Sequence, residues 1–194
     1  MKVLFSLLGA SVGLAVIYYL GTYSSLVARQ EAVNAAWGKV EVVCQRRAEL
    51  IPNLVATVKG YATHEKELFI KLAEARSKVG SININGSDLT KDPELLKKFL
   101  GAQGELAGVL NKLLAVSEAY PDLKASEGFK TLQAQIEGSE NRISVERTMA
   151  QDATRSYNTL VRGPVARYIA GDEFKVIPYF VADEGSKKAP EVKF

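Results

Sequence analysis

The sequence predicts an all-α protein. We expect an amino-terminal transmembrane helix that continues into a long kinked helix, packed in an antiparallel helical bundle of three to four helices with an irregular carboxy-terminal tail. Three observations lead to this prediction: an uncharged apolar run near the amino terminus, a long stretch with apolar residues every three or four positions, and two further such stretches bounded by Pro and Gly. The predicted regions are residues 1–28 (the span and its interfacial residues), 29–163 (the bundle) and 164–194 (the tail).

The apolar run predicts a membrane span. Residues 3–28 carry no charge, and a span needs about 20 apolar residues. A cleaved signal peptide is the alternative, but its apolar core is about 7–15 residues long and precedes a small-x-small site. Here the run is longer and is followed by a poor cleavage site, so we expect it to be retained. Basic residues flank both ends; the short basic amino terminus, with Lys2, favours placing the rest of the chain outside the cytoplasm.

The first soluble helix is predicted from a seam that begins near Val33 and extends to Val79. Its members follow each other at alternating spacings of three and four: Trp37, Val40, Cys44, Arg47, Ile51, Leu54, Val58, Tyr61, Glu65, Leu68, Leu72, Ala75 and Val79. Pro52 lies inside, yet the phase does not slip on either side of it. The pattern therefore indicates one kinked helix that ends at about Lys78.

Two more helices follow a predicted loop at residues 80–92. Asp92 is placed to cap the second helix, with Pro93 in its first turn. Ser126 is placed to cap the third, which Gly163 and Pro164 end. The last residues of the tail alternate apolar and charged, as in an extended strand, and we predict that Val192 and Phe194 dock on the bundle or on a neighbouring subunit.

Charge and cysteine content exclude several classes of function. The 25 basic and 22 acidic residues are interleaved along the helices, which is typical of solvated faces and predicts no nucleic-acid partner. The single cysteine excludes an intrachain disulfide. Because Cys44 occupies a seam position, we interpret it as a small buried hydrophobe, with a reactive thiol as the alternative.

Several charged residues fall at or near positions where the helical pattern expects apolar ones. We predict a structural polar seam that pairs charges between helices and in which Glu65 binds Arg142 or Arg147, because an unpaired buried carboxylate is costly. The seam consists of Arg47, Glu65, Glu140, Arg142 and Arg147.

Evidence for catalysis is weak. His64 is the only histidine, and Glu65 and Glu140 would complete a candidate metal site. Zinc sites need three or four ligands, so one histidine with scattered carboxylates is a weak pattern. We predict no catalytic, cofactor-binding or metal-binding residue and no cofactor; a metal-dependent hydrolase or signalling enzyme that uses His64 and Glu65 is the alternative.

Helix lengths predict self-association. A first helix of about 80 Å beyond the membrane would exceed the second and third, about 39 and 54 Å, and leave its proximal stripe without intrachain partners. Exposed apolar stripes usually mark interfaces. We therefore predict a homo-oligomer whose subunits meet through Val33, Trp37, Val40, Cys44 and Ile51.

Four blocks of the sequence form a recognisable pattern: AW at residues 36–37, QRRAELIPNLVATVKGYATHE at 45–65, EAYPDLKA at 118–125, and the spaced pattern F..LQ..I...ENRI from Phe129 to Ile143. These four blocks resemble the LemA family. The resemblance covers nearly the whole chain from about Tyr23. It implies an amino-terminal membrane helix in the bacterial inner membrane, a cytoplasmic or periplasmic helical bundle and no established enzymatic activity.

A magnetosome protein of membrane-remodelling bacteria is similar to this family, which supports a structural role. We therefore expect a non-enzymatic scaffold or assembly protein at the membrane, involved in membrane organisation or remodelling, with the bundle on the periplasmic side. An adaptor for another membrane protein is a further alternative.

Overall fold

The long amino-terminal helix organises the fold. The computed structural model describes residues 2–61, 65–82 and 86–179, and every regular element in these ranges is an α-helix. The elements are α1 (Lys2–Lys59), α2 (Lys66–Ser81), α3 (Gly86–Lys91), α4 (Pro93–Ser117), α5 (Pro121–Ala125), α6 (Glu127–Val161) and α7 (Ala166–Ala170). The predicted all-α fold with one long amino-terminal helix is confirmed.

The first part of α1 stands apart from the bundle. The large apolar side chains described between Val3 and Leu20 are 49–72% exposed. The helix contains an 18-residue window with a mean hydropathy of 1.6, none of it buried inside the structure, so by length and composition it can cross a membrane. From Leu26 onward the same helix buries one side in the bundle.

The predicted extent of the first helix is wrong. The helix does pass through Pro52 without interruption, but it ends at Lys59 and is followed by a turn at Gly60 and Tyr61. The three-four spacing continued into α2 because that helix carries its own apolar stripe, which packs on α4.

Four long helices form the described part of the bundle, within the predicted range of three to four; the fourth is α2, which the sequence pattern had merged with the first helix. We infer their alternating directions from contacts: α1 runs outward to Lys59, α2 returns, α4 runs outward again, and α6 returns toward the apolar segment. The segment predicted as a loop over residues 80–92 contains the end of α2 and all of α3. The capping prediction for α4 is confirmed, since the Asp92 carboxylate accepts hydrogen bonds from the Glu94 and Leu95 amides.

Two apolar clusters form the core: a proximal cluster, nearer the apolar segment of α1, and a distal cluster, nearer the end of α1 at Lys59. The proximal cluster includes Val33, Trp37, Val40 and Cys44, packed with residues of α3, α4, α6 and the segment after α7. The distal cluster includes Ile51 and contains residues of α2, α4, α5 and α6. These five residues are at most 2% exposed within a single chain. The expectation that they lack intrachain partners is wrong, because α3, the start of α4, the returning α6 and the segment after α7 cover the proximal half of the bundle.

A close approach of α3 to α1 joins the two at the proximal level. Gly86 lies against Asn34 and Gly38, and a Cβ on Gly86 would come closer than 3 Å to backbone atoms of both. The Thr90 hydroxyl, one turn further on, donates a hydrogen bond to the Asn34 side-chain oxygen at 2.8 Å. Only glycine fits this contact without moving a helix.

We expect Gly86→Ala to lower the free energy of unfolding by about 1–3 kcal/mol, the usual cost of overpacking a rigid contact. Urea unfolding of the bundle measures it. The matched control is Gly101→Ala on exposed α4 backbone, where a Cβ would meet nothing within 4 Å. That change should be neutral or raise stability by up to about 1 kcal/mol. Equal effects at both sites would contradict the close contact.

Candidate functional site

A buried arginine crosses the centre of the bundle. Arg47 on α1 is 1% exposed. Its Nη1 group donates to the Glu140 carboxylate on α6, and its Nη2 group donates to the Gln103 carbonyl on α4 at 3.1 Å and to the Gln103 side-chain oxygen. One guanidinium therefore ties three helices together, and charged hydrogen bonds of this kind are the stronger ones in proteins.

The structure brings together part of the predicted polar seam. Arg47 and Glu140 form an ion pair whose glutamate side chain is 36% exposed. Arg147 lies close enough to Cys44, Arg47 and Glu140 for their charges to influence it, and burial lowers its pKa. Arg142 is exposed and lines a shallow groove between α1 and α6. The centre thus contains Arg47, Gln103 and Glu140, with Arg147 beside them.

Glu65 belongs to a different part of the molecule. It precedes α2 at the distal end, and its carboxylate accepts a hydrogen bond from the Tyr120 hydroxyl at 3.2 Å. Arg147 lies near Cys44, and the 15 residues of α1 from there to Lys59 span about 22 Å. The predicted pairing of Glu65 with Arg142 or Arg147 is therefore wrong.

The carboxylates of the candidate metal site do not converge. Glu140 binds Arg47, which is 12 residues, about 18 Å, before the end of α1, whereas Glu65 lies beyond that end. His64 lies outside the described residues, as do Val192 and Phe194 of the tail. Within the ranges that the structure describes, no group of three His, Cys, Asp or Glu side chains could hold a metal ion.

Cys44 borders a groove of about 720 Å³ between α1, α2 and α4. The thiol itself is buried, and burial raises its pKa from about 9 to about 11, although Arg47 and Arg147 act in the opposite direction. A thiol with such a pKa is almost wholly protonated at neutral pH and is a poor nucleophile. The interpretation of Cys44 as a small core residue fits this environment.

We expect Cys44 in the folded chain to resist alkylation at pH 8. The thiol of the unfolded chain loses its proton at a lower pH than the buried thiol of the folded chain. The contribution of Cys44 to the free energy of unfolding is therefore constant below about pH 9. It falls as pH rises from about 9 to about 11, by up to about 1.4 kcal/mol per pH unit. Unfolding at several pH values measures this slope. The Cys44→Ala variant should lack this part of the pH dependence of the free energy of unfolding. If the slope is the same with and without the thiol, the raised pKa of Cys44 is contradicted.

A second group of polar side chains, those of Tyr157 and Asn158, holds the chain after α7 against the proximal end of α6. Asn158 is fully buried; its amide nitrogen donates to the Ile177 carbonyl at 2.7 Å, and its oxygen accepts from the Ile177 amide at 2.9 Å. The Tyr157 hydroxyl donates to the Lys175 carbonyl at 3.1 Å. The side chain of Asn158 thus replaces the backbone partner that Ile177 would find in a strand.

Further contacts place this end beside the apolar half of α1. The Tyr23 hydroxyl donates to the Glu173 carboxylate at 3.1 Å, and the rings of Tyr23 and Phe174 meet edge to face with centroids 5.5 Å apart. Arg29 donates to the Ser156 carbonyl at 3.2 Å. The carboxy-terminal part of the described chain therefore lies where α1 leaves the bundle.

Sequence reasoning missed Gln103 and Asn158 as functional contacts. Gln103 falls at helical spacing between the apolar residues Phe99 and Leu106, and a polar residue at such a position was the available signal for a buried hydrogen-bonding group. Asn158 stands next to the apolar stripe of α6, and its role depends on a chain segment whose path the pattern does not indicate. Both residues act as structural ties.

Comparisons with known proteins agree with this architecture. The model of the LemA family matches residues 36–194. Magnetosome protein MamQ 2 of Paramagnetospirillum magneticum is 28% identical over 187 residues, which cover 86% of this chain and 69% of the relative. Magnetosome protein MamQ of Magnetospirillum gryphiswaldense is 27% identical over 174 residues, covering 81% and 64%.

A third relative is named for the family. Protein LemA of Metamycoplasma hominis is 27% identical over 133 residues, which cover 69% of this chain and 56% of the relative. These likenesses and the exposed apolar segment of α1 fit membrane anchoring. Since the family model matches residues 36–194, which are most of the chain, this chain belongs to the LemA family.

Proposed function

We propose that this protein is a non-enzymatic scaffold or assembly module of the bacterial inner membrane, anchored by α1 and with its bundle on the periplasmic side. The observation that carries the proposal is the continuity of α1, which passes from an exposed apolar segment directly into the core of the bundle. A helix shared between membrane and bundle fixes the bundle rigidly to the surface. A bundle held rigidly at the membrane surface presents its faces to other proteins in a fixed orientation, as a scaffold or assembly module does.

The polar centre supports a structural role. Both terminal nitrogens of Arg47 are already bound to protein groups, and the neighbouring thiol has a pKa that disfavours nucleophilic chemistry. A catalytic arginine, by contrast, directs its donors at the substrate. The relatives named as magnetosome proteins belong by name to an assembled cellular structure, which also favours a structural function.

Self-association remains part of the proposal, but through another face. Val42 on α1 and Val145 and Met149 on α6 are 51–55% exposed. The Arg47–Glu140 contact brings Val42 to the level of Val145, and spacings of three and four place both α6 residues beside exposed Arg142. We assign the contact between subunits to this outer α1/α6 face, which consists of Val42, Val145 and Met149.

Alkaline extraction of membranes tests the anchor. The full chain should stay in the membrane fraction, and Leu14→Arg in the middle of the apolar segment should reduce insertion, because a central arginine costs about 2.5–3.5 kcal/mol. A reporter enzyme that is active only outside the cytoplasm, fused to the carboxy terminus, tests the orientation. Complete extraction of the unaltered chain would remove the anchor from the proposal, and an inactive reporter would reverse the orientation.

Particle mass in mild detergent tests self-association. We expect the full chain to form an oligomer that Met149→Glu dissociates while its helicity stays unchanged. The matched control is Ile70→Glu on α2, since Ile70 is 58% exposed but lies on a different helix. If the unaltered chain is a monomer at working concentration, the self-association fails; if a second protein co-purifies through this face, the adaptor function replaces it.

A further inference from the structure

We propose that the segment around α7 is a foot that lies on the anionic surface of the membrane beside the span. We call its outward side the α7 face and define it by Arg162, Val165, Arg167 and Tyr168. The inference rests on the membrane anchor of the proposed function. It adds a second, lipid-binding contact, made by a part of the chain about 140 residues away in sequence.

The depth of α1 in the membrane sets the level of the foot. A hydrocarbon core of about 30 Å accommodates about 20 helical residues. Counted from Val3, the start of the apolar run, these end near Thr22. Tyr23 then stands in the headgroup layer, the depth at which tyrosine is enriched in membrane proteins.

The foot is tied to that level by direct contacts. Tyr23 donates a hydrogen bond to Glu173 at 3.1 Å, and its ring packs against Phe174. Val165 and Ala166, at the start of α7, line a groove of about 630 Å³ together with Tyr18 and Thr22 of α1. Residues on both sides of α7 therefore contact the part of α1 that emerges from the hydrocarbon.

The α7 face combines aromatic, aliphatic and cationic groups. Helix α7 buries Ala166 and Ala170 and leaves Tyr168 88% exposed, the highest value among the large apolar side chains that the structure describes. Val165 is 43% exposed, and Arg162 and Arg167 are also exposed. A tyrosine is suited to the headgroup layer, and guanidinium groups bind phosphate oxygens.

Charge favours an anionic lipid over a neutral one. Lys175 is a third exposed cation of this segment, while the acids are Asp172, Glu173 and Asp152, of which Asp152 lines the groove and pairs with Arg155. Glu173 already accepts the Tyr23 hydroxyl. Basic residues close to an anionic surface are attracted to it, and the attraction fades beyond a Debye length, about 8–10 Å.

The test places a fluorescent probe on the α7 face of the full chain. Tyr168→Cys is labelled with a polarity-sensitive dye, and buried Cys44 is spared by its burial and high pKa. The chain is reconstituted into vesicles of phosphatidylcholine with or without phosphatidylglycerol. We expect the dye emission to shift to the blue and lipid-attached quenchers to reach it, more strongly in the anionic vesicles.

Two comparisons make the result specific. The dye at Tyr61→Cys, an exposed position in the distal turn, should stay aqueous in both kinds of vesicle. Arg162→Gln and Arg167→Gln should each reduce the ratio of docked to undocked dye about fivefold in anionic vesicles. Equal reduction in neutral vesicles would overturn the anionic preference.

The foot and the anchor fail in different ways. If alkaline extraction removes the chain from the vesicles, the anchor is wrong and the foot with it. If the chain stays inserted but the dye on the α7 face is as aqueous as the dye in the distal turn, the foot alone is overturned. Crosslinking of the labelled position to a neighbouring chain, without lipid quenching, would likewise overturn it in favour of a protein contact.

Discussion

Glu140→Ala is expected to lower the free energy of unfolding by about 3 kcal/mol. The change removes the carboxylate partner of Arg47, a residue that is 1% exposed and would keep its charge without compensation. Breaking a buried ion pair costs about 3–5 kcal/mol; the lower end applies because the Glu140 side chain is 36% exposed. Urea unfolding of the full chain in detergent, followed by circular dichroism of the bundle, measures the loss.

The double variant Arg47→Met/Glu140→Ala separates the pair from simple packing. Methionine occupies much of the arginine volume without charge, so no unpaired ion remains and the loss should be smaller than for Glu140→Ala alone. Lys124→Ala is the surface control, because its ion pair with Glu118 is exposed and worth at most about 1 kcal/mol. A loss below about 0.5 kcal/mol for Glu140→Ala would show that the ion pair does not stabilise the bundle.

Much of the fold follows from local pattern. The seams of α1 and α4 lie in the core, and the capping of α4 by Asp92 follows from the chemistry of a helix start. The end of α1 at Lys59 was not predicted, because the apolar phase of α2 happens to continue that of α1 across the turn. Gly60 was the available signal for a helix end, and the apolar periodicity outweighed it.

One wrong boundary produced the wrong interface. With α1 extended to Lys78, the remaining helices are too short to cover its proximal half, and Trp37 would be exposed. With α1 ending at Lys59, α2 and α3 return along it, α6 reaches back to the apolar segment, and Trp37 becomes 2% exposed. Helix lengths constrain a bundle only when the turns are placed correctly.

The polar centre was predictable in kind but not in pairing. A charge on a seam indicates a partner on a neighbouring helix, and Arg47 does pair with Glu140, whose side chain is 36% exposed. Which charges meet depends on how the helices are shifted along one another, and sequence periodicity does not fix that shift. The sequence pattern therefore led us to pair Glu65 with arginines at another level of the bundle, and it predicted no partner for Gln103.

The two hydrogen bonds between Asn158 and Ile177, which we call the Asn158 clamp, provide the second large expected effect. Two substitutions of Asn158 should differ in how their effect depends on pH, and this difference identifies the hydrogen bonds as the cause. Asn158→Ala would leave a buried amide N–H and carbonyl of Ile177 without partners, at about 1–3 kcal/mol each. We therefore expect a loss of about 2–6 kcal/mol and faster hydrogen exchange at the Ile177 amide. This loss should not depend on pH.

Asn158→Asp should behave differently. A protonated aspartic acid can donate to the Ile177 carbonyl and accept from its amide, as asparagine does, whereas the carboxylate has no proton to donate and is buried with its charge. Burial raises the pKa of such an aspartate above its unfolded value of about 3.9. Above the unfolded pKa, the folded chain then binds more protons than the unfolded chain. The stability of the variant should therefore be close to that of the unaltered protein below pH 4. It should fall as pH rises, by up to about 1.4 kcal/mol per pH unit, until the pKa of the aspartate in the folded chain is passed. Unfolding at pH 4 and pH 7 measures the difference, with Thr159→Asp on the exposed side of α6 as the control that should show little change. If Asn158→Asp is as stable as the unaltered chain at pH 7, the Asn158 clamp does not hold the segment after α7 in place.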